Sequence, residues 1–350
     1  MIKNMESTPS LANAVSNRGP VFVTGGSGFI GRHVVQLLDK NGYQIRALVR
    51  RVPDQGFNPS VELVIGDLSN PDTYAAALKG ASAVVHTALT ESLSDEPQAT
   101  STLQHLSAQA GVQRFIHLST VAVYGNPPDG AITEDTAPLP AVDAYPRTKL
   151  AIESALQADS SLSEVVILRL GCVYGPGGGW WIDGLLNQME RGKVIAVDDG
   201  AGTANLVHVS DVAAVVLTLL RRSNSRFEIF NITDGMPVTW GRYFSELEII
   251  LGRPGTVSMS AAEARAYSKK WLQPSLIRRL TRKLMGSRHI HPLDDRGISG
   301  FASRAIYSNK KAVNVLAFRP NFNLETGLQT VRPTPRGEQL SSPHPNLTGA

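Results

Sequence analysis

Short apolar runs alternate with amphipathic stretches along most of this chain. The runs typical of buried strands are Pro20–Thr24, Ile45–Val49, Val61–Ile65, Ala83–His86, Phe115–Leu118, Val165–Leu170 and Phe227–Ile232. Helical spacing of apolar residues occurs between them, at Ile30–Leu38, Tyr74–Leu78 and Leu103–Ala110. Buried strands that are separated by helices predict βαβ crossovers. The pattern therefore predicts an α/β fold with a doubly wound parallel sheet.

The pattern changes after Gly175. The segment Gly175–Gly179 is a flexible Gly-Pro-Gly-Gly-Gly loop, and beyond Asp234 the chain becomes mostly helical and less regular. We predict a sheet domain over residues 19–175, completed by about 204–235, and a smaller, mostly helical C-terminal substrate lobe from 176–203 and 236–331. The polar ends, 1–18 and 332–350, cannot bury enough apolar surface to offset their chain entropy, so we predict disordered tails there.

Composition narrows the class of protein. The 350 residues are 42% hydrophobic and 18% charged, and a net charge of +4 is too small to predict nucleic acid as a partner. The single cysteine, Cys172, cannot form an intrachain disulfide, which suits a reducing compartment. Met1–Arg18 lacks the apolar core of a secretory signal, and no apolar run reaches the ~20 residues that span a bilayer. We expect a soluble cytoplasmic protein without a metal site.

A glycine motif follows the first predicted strand. Gly25, Gly28 and Gly31 form GxxGxxG at the start of the next helix. Such glycines allow a tight turn and a close approach of the backbone to a pyrophosphate, and the helix N-terminus attracts the phosphates. This context favours a Rossmann-type dinucleotide site over a purely structural turn. The predicted cofactor-binding residues of the loop are Gly25, Ser27, Gly28, Phe29, Ile30 and Gly31.

Basic residues follow the second strand. An NAD site usually has Asp or Glu about 20 residues past the glycines, where it binds the ribose hydroxyls. Arg50 and Arg51 occupy that place, and guanidinium groups there suit a 2′-phosphate. We therefore expect NADP as the cofactor, with NAD as the alternative. Arg32 would add a further positive charge, and the other interpretation of these arginines is solvated surface charge.

Two further strand ends carry candidate cofactor contacts. Asp67 and Leu68 follow the third strand, where the carboxylate can accept a hydrogen bond from the adenine amino group. The alternative for Asp67 is a helix cap. Thr87 and Ala88 follow the fourth strand and place small side chains beside the expected cofactor, where bulk would clash.

Tyr145 and Lys149 form a YxxxK pair. Their i, i+4 spacing puts the phenol and the ammonium on one face of a helix. A tyrosine with the reference pKa of about 10 is a poor acid or base at neutral pH, and a nearby ammonium stabilises the phenolate. The pair is short enough to occur in an ordinary amphipathic helix. Its functional interpretation is proton transfer by Tyr145.

Taken in order, the motifs resemble those of the extended short-chain dehydrogenase/reductases, also called the NAD-dependent epimerase/dehydratase family. The resemblance covers roughly residues 20–330. It is carried by the glycine motif, Asp67-Leu68, Ser119-Thr120-x-x-Val123-Tyr124-Gly125, Tyr145/Lys149, Arg169–Pro176 and Leu206–Ala213.

The resemblance implies a role for individual residues. Tyr145 would be the acid/base, Lys149 its partner and ligand of the nicotinamide ribose, and Thr120 the hydroxyl that binds the carbonyl. Ser119 is the weaker candidate for that hydroxyl, because the family spacing to the tyrosine points to Thr120. Val173 would contact the cofactor. We interpret His208 as a satisfied strand-end histidine, Asp211 as a helix cap and Cys172 as a packing residue.

The chain departs from the family pattern in three places. Glu96 stands where members commonly have the asparagine of a proton relay, so the sequence does not identify the relay residue. Cys172 and Ala204-Asn205 stand where nucleotide-sugar enzymes usually have the Asn and Arg that hold a pyrophosphate. These departures favour a weakly charged small-molecule substrate, as in the 3β-hydroxysteroid-dehydrogenase-like and dihydroflavonol-reductase-like branches.

The motifs, together with the departures from the family pattern, are consistent with three functions. The favoured one is an NADP-linked oxidoreductase that moves a hydride between nicotinamide and a carbonyl or secondary alcohol. The others are a nucleotide-sugar epimerase or dehydratase, and a cofactor-binding regulator that does not catalyse. Trp180 and Trp181 would line an apolar pocket in the first case, although core packing of the lobe is an equally good interpretation.

The sequence also predicts a basic amphipathic helix within the C-terminal lobe. Leucines recur at i, i+4 and i+8 within Trp271–His289, with arginines mostly on other faces. Such a helix can make a weak peripheral contact with anionic lipid. An ordinary lobe helix is the interpretation that we favour. The sequence leaves open whether the chain forms a homodimer.

Overall fold

The computed structural model describes residues 19–53, 56–140, 143–222, 226–272 and 289–331. The predicted tails, 1–18 and 332–350, lie outside the described residues, as does most of the predicted amphipathic helix between Trp271 and His289. Those predictions are therefore untested. Within the described ranges, no helix combines the length and the apolar character needed to cross a bilayer.

The described part of the chain alternates strands with helices. The strands are β1 Val21–Thr24, β2 Ile45–Val49, β3 Glu62–Ile65, β4 Ala83–His86, β5 Arg114–Thr120, β6 Gly130–Ile132, β7 Glu164–Leu170, β8 Cys172–Tyr174, β9 Val194–Val197, β10 Thr203–Ala204, β11 Leu206–His208, β12 Phe227–Ile232, β13 Val238–Thr239, β14 Thr256–Met259 and β15 Ala305–Tyr307. The α-helices are α1 Phe29–Lys40, α2 Glu96–Gln109, α3 Ala144–Ala158, α4 Leu185–Arg191, α5 Val209–Arg221, α6 Trp240–Leu251, α7 Ala261–Leu272, α8 Asp295–Ala302, α9 Lys310–Leu316 and α10 Leu324–Gln329.

A parallel sheet forms the centre of the molecule. Its strands lie in the order β12-β7-β5-β4-β1-β2-β3, and every pairing between them is parallel. The chain order reverses between β1 and β4, and ligands of such sheets bind beyond the carboxyl ends of the strands at that point. The predicted Rossmann-type fold is confirmed.

Apolar residues bury both faces of the sheet. One face packs against α1 and α5, which contribute Val34, Leu38, Val212 and Leu219 to a continuous core. The other face packs against α2 and α3, with residues such as Leu103, Ile152 and Leu156. The strands are short apolar runs because both of their faces lose contact with water.

A second core belongs to the smaller lobe. It centres on Trp240, whose ring stacks on Trp181 at 5.2 Å between centroids and meets the edge of Phe301 at 4.8 Å. Short parallel pairs, such as β9 with β14, add strand structure to a lobe that the sequence predicted as mostly helical. The boundary also differs from the prediction of 236–331. Ala312, Leu316 and Phe318 lie in the core of the sheet domain, because an apolar stripe does not reveal which core it faces.

Two predicted helices have different extents in the structure. Tyr74–Leu78 contains a 3₁₀ turn at Ala75–Leu78. The helix predicted over Leu103–Ala110 is α2, which begins at Glu96. Its first turns bury Glu96, Thr100 and Gln104. Because these buried residues are polar, the apolar spacing alone could not reveal the first half of the helix.

We expect Trp240→Ala to destabilise the lobe strongly. Trp240 is 3% exposed and contacts several rings, and loss of a buried aromatic side chain typically costs about 3–5 kcal/mol. Ile249 lies on the same helix but is 71% exposed, so Ile249→Ala is the matched control and should cost less than about 0.5 kcal/mol. Denaturant unfolding measures both, and equal losses would contradict this description of the core.

Candidate active site

The glycine loop leaves no room for a side chain at Gly25 or Gly31. Gly25 has φ +66°, and a Cβ atom there would lie 2.9 Å from the backbone of Ala88. A Cβ atom on Gly31 would lie 2.1 Å from the carbonyl oxygen of Gly25. Helix α1 therefore packs directly on the loop through backbone atoms, which is the arrangement that lets a pyrophosphate approach the main chain.

The N-terminus of α1 is open to an anion. Gly28 is its N-cap residue, no side chain caps the helix, and its first turn contains no acidic residue. Ser27 is exposed, and Phe29 and Ile30 are half-buried. The first-turn N–H groups and the helix dipole can thus serve a phosphate. These residues fit the pyrophosphate of a dinucleotide cofactor.

Hydrogen bonds tie the ends of β1 and β4 together. The Thr87 hydroxyl donates to the carbonyl oxygen of Thr24 at 2.7 Å, and the N–H groups of Thr87 and Ala88 donate to Thr24 Oγ1 at 3.2 Å. Thr24 Oγ1 also lies 2.8 Å from His86 Nδ1. The small residues predicted beside the cofactor therefore have a second role, because they hold the glycine loop in place.

The two basic residues after β2 lie on the surface. Arg50 donates to Glu91 Oε1 at 2.8 Å, and both side chains are well exposed. Arg51 is exposed. After β3, Asp67 Oδ1 accepts from the N–H of Ser69 at 2.8 Å, while Leu68 is buried. Asp67 thus closes a turn, and its other carboxylate oxygen is available to a ligand.

Arg32 lies elsewhere. Its guanidinium is 5.8 Å from the centre of the Phe29 ring and fills the space above Gly177. Burial lowers the pKa of Arg32, and the charge of Asp183 partly opposes that effect. The structure therefore places this arginine against the glycine-rich loop 175–179. Its position in the sequence had instead suggested a positive charge for the cofactor phosphate.

The Tyr145/Lys149 pair lies at the start of α3. Tyr145 is half-buried in the first turn, and Lys149, one turn later, is 3% exposed. Lys149 Nζ lies 2.6 Å from Glu96 Oε1, and the carboxylate of Glu96 is fully buried. A residue from α2 therefore fixes the ammonium of Lys149, which lies one helical turn after Tyr145.

Arg296 is a site residue that sequence reasoning missed. It lies on α8 in the smaller lobe, with its guanidinium 5.4 Å from the centre of the Tyr145 ring. Its only ion-pair partner among the described residues is Asp143, at 3.9 Å. No spacing in the sequence links position 296 to position 145, so only the folded lobe reveals the contact.

The two hydroxyls at the end of β5 differ in their surroundings. Ser119 is 5% exposed and donates to Glu153 Oε1 at 2.5 Å, and Glu153 also pairs with Arg169 at 2.7 Å. Thr120 is half-buried and accepts from the N–H of Ala122 at 3.1 Å. Ser119 is thus engaged in a buried ionic cluster, whereas the Thr120 hydroxyl can still donate to a substrate oxygen.

Two histidines lie beneath Lys149. Burial and the Lys149 charge lower the pKa of His86 to about 3, and the same two causes lower the pKa of His117. The rings are 5.1 Å apart, and His86 Nε2 lies 3.0 Å from the hydroxyl of Thr100. Both histidines are therefore neutral at physiological pH, so neither adds a charge beside the Glu96–Lys149 ion pair.

The remaining predicted residues have structural contacts. His208 caps α5 by accepting from the N–H of Ser210, whereas Asp211, which the sequence suggested as the cap, instead accepts from Asn321. Val173 is 8% exposed in β8. Burial and the charge of Asp234 raise the pKa of the Cys172 thiol, which makes it a poor nucleophile.

The tryptophans of the smaller lobe support the packing interpretation. Trp181 stacks on Trp240 in the lobe core. Trp180 lies against Gly184, where a Cβ atom would be 2.6 Å from its ring. Trp181 therefore packs against the lobe core, and both tryptophans are half-buried.

Comparison with known proteins identifies the family. Residues 21–233 match the family model described as NAD dependent epimerase/dehydratase family. Among curated relatives, a 4-hydroxy-2-methyl-3-oxo-4-farnesyl-3,4-dihydroquinoline-1-oxide ketoreductase of Stigmatella aurantiaca is 27% identical over 276 residues, which cover 73% of this chain and 81% of the relative. The 2'-dehydrokanamycin reductase of Streptomyces kanamyceticus is 29% identical over 281 residues, with coverages of 72% and 75%.

A solved structure shows the same likeness over most of the chain. MoeE5 in complex with UDP-glucuronic acid and NAD superposes with a TM-score of 0.68 and 28% identity, and covers 89% of this chain and 97% of its own. Together with the order of the motifs, these matches show that the chain belongs to the NAD dependent epimerase/dehydratase family and is an enzyme of the extended short-chain dehydrogenase/reductase type.

Proposed function

We propose that this enzyme is an NADP-dependent oxidoreductase acting on a carbonyl or secondary alcohol of a small, weakly charged substrate. The observation that carries the proposal is the Tyr145/Lys149 pair, in which a half-buried phenol stands one helical turn from a buried ammonium. The nicotinamide, when bound, supplies or accepts the hydride. Tyr145 donates a proton to the carbonyl oxygen during reduction and removes it during oxidation. Lys149 stabilises the phenolate, and Thr120 donates a hydrogen bond to the same oxygen.

The contacts around the smaller lobe support a reductase. Asn205, which stands in a place associated with pyrophosphate binding, donates to the carbonyl oxygen of Ala305 at 3.0 Å and accepts from the N–H of Tyr307 at 2.9 Å. Both polar atoms of its side-chain amide therefore bind the backbone of β15. Cys172 offers no cation or amide to a phosphate. Relatives named as ketoreductase and dehydrokanamycin reductase agree with this interpretation.

One observation favours the second candidate, a nucleotide-sugar epimerase or dehydratase. Arg296 brings a guanidinium to the Tyr145 ring, where it can meet an anionic group of a substrate. The MoeE5 structures, with UDP-glucuronic acid or UDP-glucose and NAD, show that a relative of similar fold holds such ligands. A panel of neutral carbonyls with NADPH, assayed beside nucleotide sugars, separates the two candidates. Turnover of nucleotide sugars alone would replace the first proposal with the second.

We expect the enzyme to bind NADP more tightly than NAD. The reason is the pair of arginines after β2, where Arg50 can exchange its exposed bond to Glu91 for the 2′-phosphate. Fluorescence titration gives both dissociation constants, and Arg50→Asp should reverse the preference. Glu91→Gln is the control: it should strengthen NADP binding by no more than about fivefold, because exposed ion pairs contribute ~0.2–1 kcal/mol. Equal affinities, or tighter binding of NAD, in the unmodified enzyme would contradict the proposal.

We expect Tyr145→Phe to lower kcat by about 10²–10⁴-fold while the affinity for the cofactor stays nearly unchanged. The variant removes the hydroxyl and keeps the ring under Arg296. Tyr267→Phe is the matched control, because that phenol lies on α7 and donates to the carbonyl oxygen of Ile290. Steady-state kinetics measures both variants. A Tyr145→Phe enzyme as active as the Tyr267→Phe enzyme would remove Tyr145 from the mechanism.

A further inference from the structure

The ion pair between Glu96 and Lys149 joins two helices across the floor of the site. The two side chains are 0% and 4% exposed, and Glu96 Oε1 lies 2.6 Å from Lys149 Nζ. Such a distance is typical of a strong, charge-assisted hydrogen bond. Glu96 Oε2 is buried and has no hydrogen-bond partner among the described residues, so Lys149 is the contact that holds this carboxylate.

Among the charged groups near the ion pair, Glu96 is the carboxylate that neutralises the Lys149 ammonium. From β4 and β5, His86 and His117 face the ammonium as neutral rings. On α3, Glu153 is already paired with Arg169. Arg296 of α8 lies over the Tyr145 ring, with Asp143 at 3.9 Å from it. The charged or titratable groups on the pair's own helices and on the elements packed against them include His86, His117, Asp143, Glu153, Arg169 and Arg296.

We propose that Glu96 is a positioning residue that holds the Lys149 ammonium in place and shares its charge with Tyr145. In this arrangement the ammonium interacts with two potential anions, the Glu96 carboxylate and the Tyr145 phenolate. The carboxylate determines how much of the positive charge remains to stabilise the phenolate. The inference rests on the proposed roles of Tyr145 and Lys149, and it adds a third member, from a different helix, to that pair.

Neutralising Glu96 should shift the ionisation of Tyr145 in one direction, toward lower pH. Replacing the carboxylate by an amide removes a negative charge next to Lys149 and leaves the phenolate as the remaining anionic partner of the ammonium. In a low-dielectric site this change favours loss of a proton from the Lys149/Tyr145 pair at lower pH. The two groups titrate as a coupled pair, and removal of the neighbouring negative charge favours ionisation of the Tyr145 phenol at lower pH.

The ultraviolet absorbance of tyrosinate measures the midpoint at which the Tyr145 phenol ionises, and it needs neither substrate nor cofactor. The signal of Tyr145 is the difference between titrations of each protein with and without Tyr145→Phe. Burial raises the pKa of several other tyrosines, which therefore ionise at higher pH and interfere little; these are Tyr74, Tyr124, Tyr174, Tyr243 and Tyr307.

We expect Glu96→Gln to lower the Tyr145 midpoint by about 0.5–1 pH unit. Glu96→Asn is a second neutral variant, and the family commonly has Asn at this position, so it provides the test if the Gln variant does not fold. Glu96→Asp keeps the charge and should stay close to the unmodified protein. Glu164→Gln is the matched control, because Glu164 forms an ion pair with Arg114 at the same distance of 2.6 Å, near the amino end of the sheet.

An unchanged or raised midpoint in the folded neutral variants would overturn the proposal, and so would an equal shift in Glu164→Gln. Because the titration needs no turnover, its outcome is independent of the reductase assay. A lowered midpoint in an enzyme that reduces none of the tested carbonyls would support the role of Glu96 and count only against the proposed function. In an active enzyme, the acidic limb of the pH profile for alcohol oxidation should move by the same amount.

Discussion

The carboxyl ends of β1 and β4 meet with almost no space for side chains between them, and the geometry of the site depends on that contact. Thr24 bonds the main chain after β4, and the absence of Cβ atoms at Gly25 and Gly31 lets the loop and helix α1 close on each other. The topological switch of the sheet falls at the same point. The open N-terminus of α1 is consequently directed at the place where a phosphate would lie.

Two buried carboxylates organise the reactive side of the same edge. Glu153 binds Arg169 and Ser119 and is satisfied by protein groups, so it maintains the packing of α3 on β5 and β7. Glu96 has a single partner, Lys149, and one oxygen without any among the described residues. Breaking a buried pair by removal of one partner leaves an uncompensated charge, so both pairs constrain the fold. Of the two pairs, the Glu96 pair includes Lys149, which lies one helical turn after Tyr145.

Much of the sheet could be predicted from the sequence because its strands are buried on both faces. Runs such as Ile45–Val49 and Phe227–Ile232 have the same bounds in the structure. The start of α2 could not be predicted in this way, because Glu96, Thr100 and Gln104 are polar residues on a buried face. The glycine loop and the Tyr145/Lys149 pair have local spacing, which is why the sequence indicates them. Arg296 and the partner of Glu96 depend on contacts between distant segments, and only the folded chain reveals them.

Substrate specificity depends in the same way on contacts within the smaller lobe that the sequence does not reveal. Its tryptophans look like pocket residues in the sequence, yet Trp181 packs on Trp240 in the core. The guanidinium of Arg296 lies 5.4 Å from the centre of the Tyr145 ring, and the hydroxyl of Thr120 lies at the carboxyl end of β5. In the proposed mechanism the Thr120 hydroxyl would bind a neutral carbonyl, and the Arg296 guanidinium would also bind an anionic group of a substrate. The choice between reductase and nucleotide-sugar chemistry therefore depends on what lies between Tyr145 and α8.

Transfer of deuterium from NADPH labelled at the reactive position of the nicotinamide tests the central claim most directly. The enzyme is incubated with the labelled cofactor and a panel of small carbonyl compounds, and the products are analysed by mass spectrometry. The account predicts an alcohol that carries one deuterium on the former carbonyl carbon, with one oxidised cofactor formed per product. Labelled NADPH that is bound but never consumed with any carbonyl, while nucleotide sugars are interconverted without net oxidation, would contradict it.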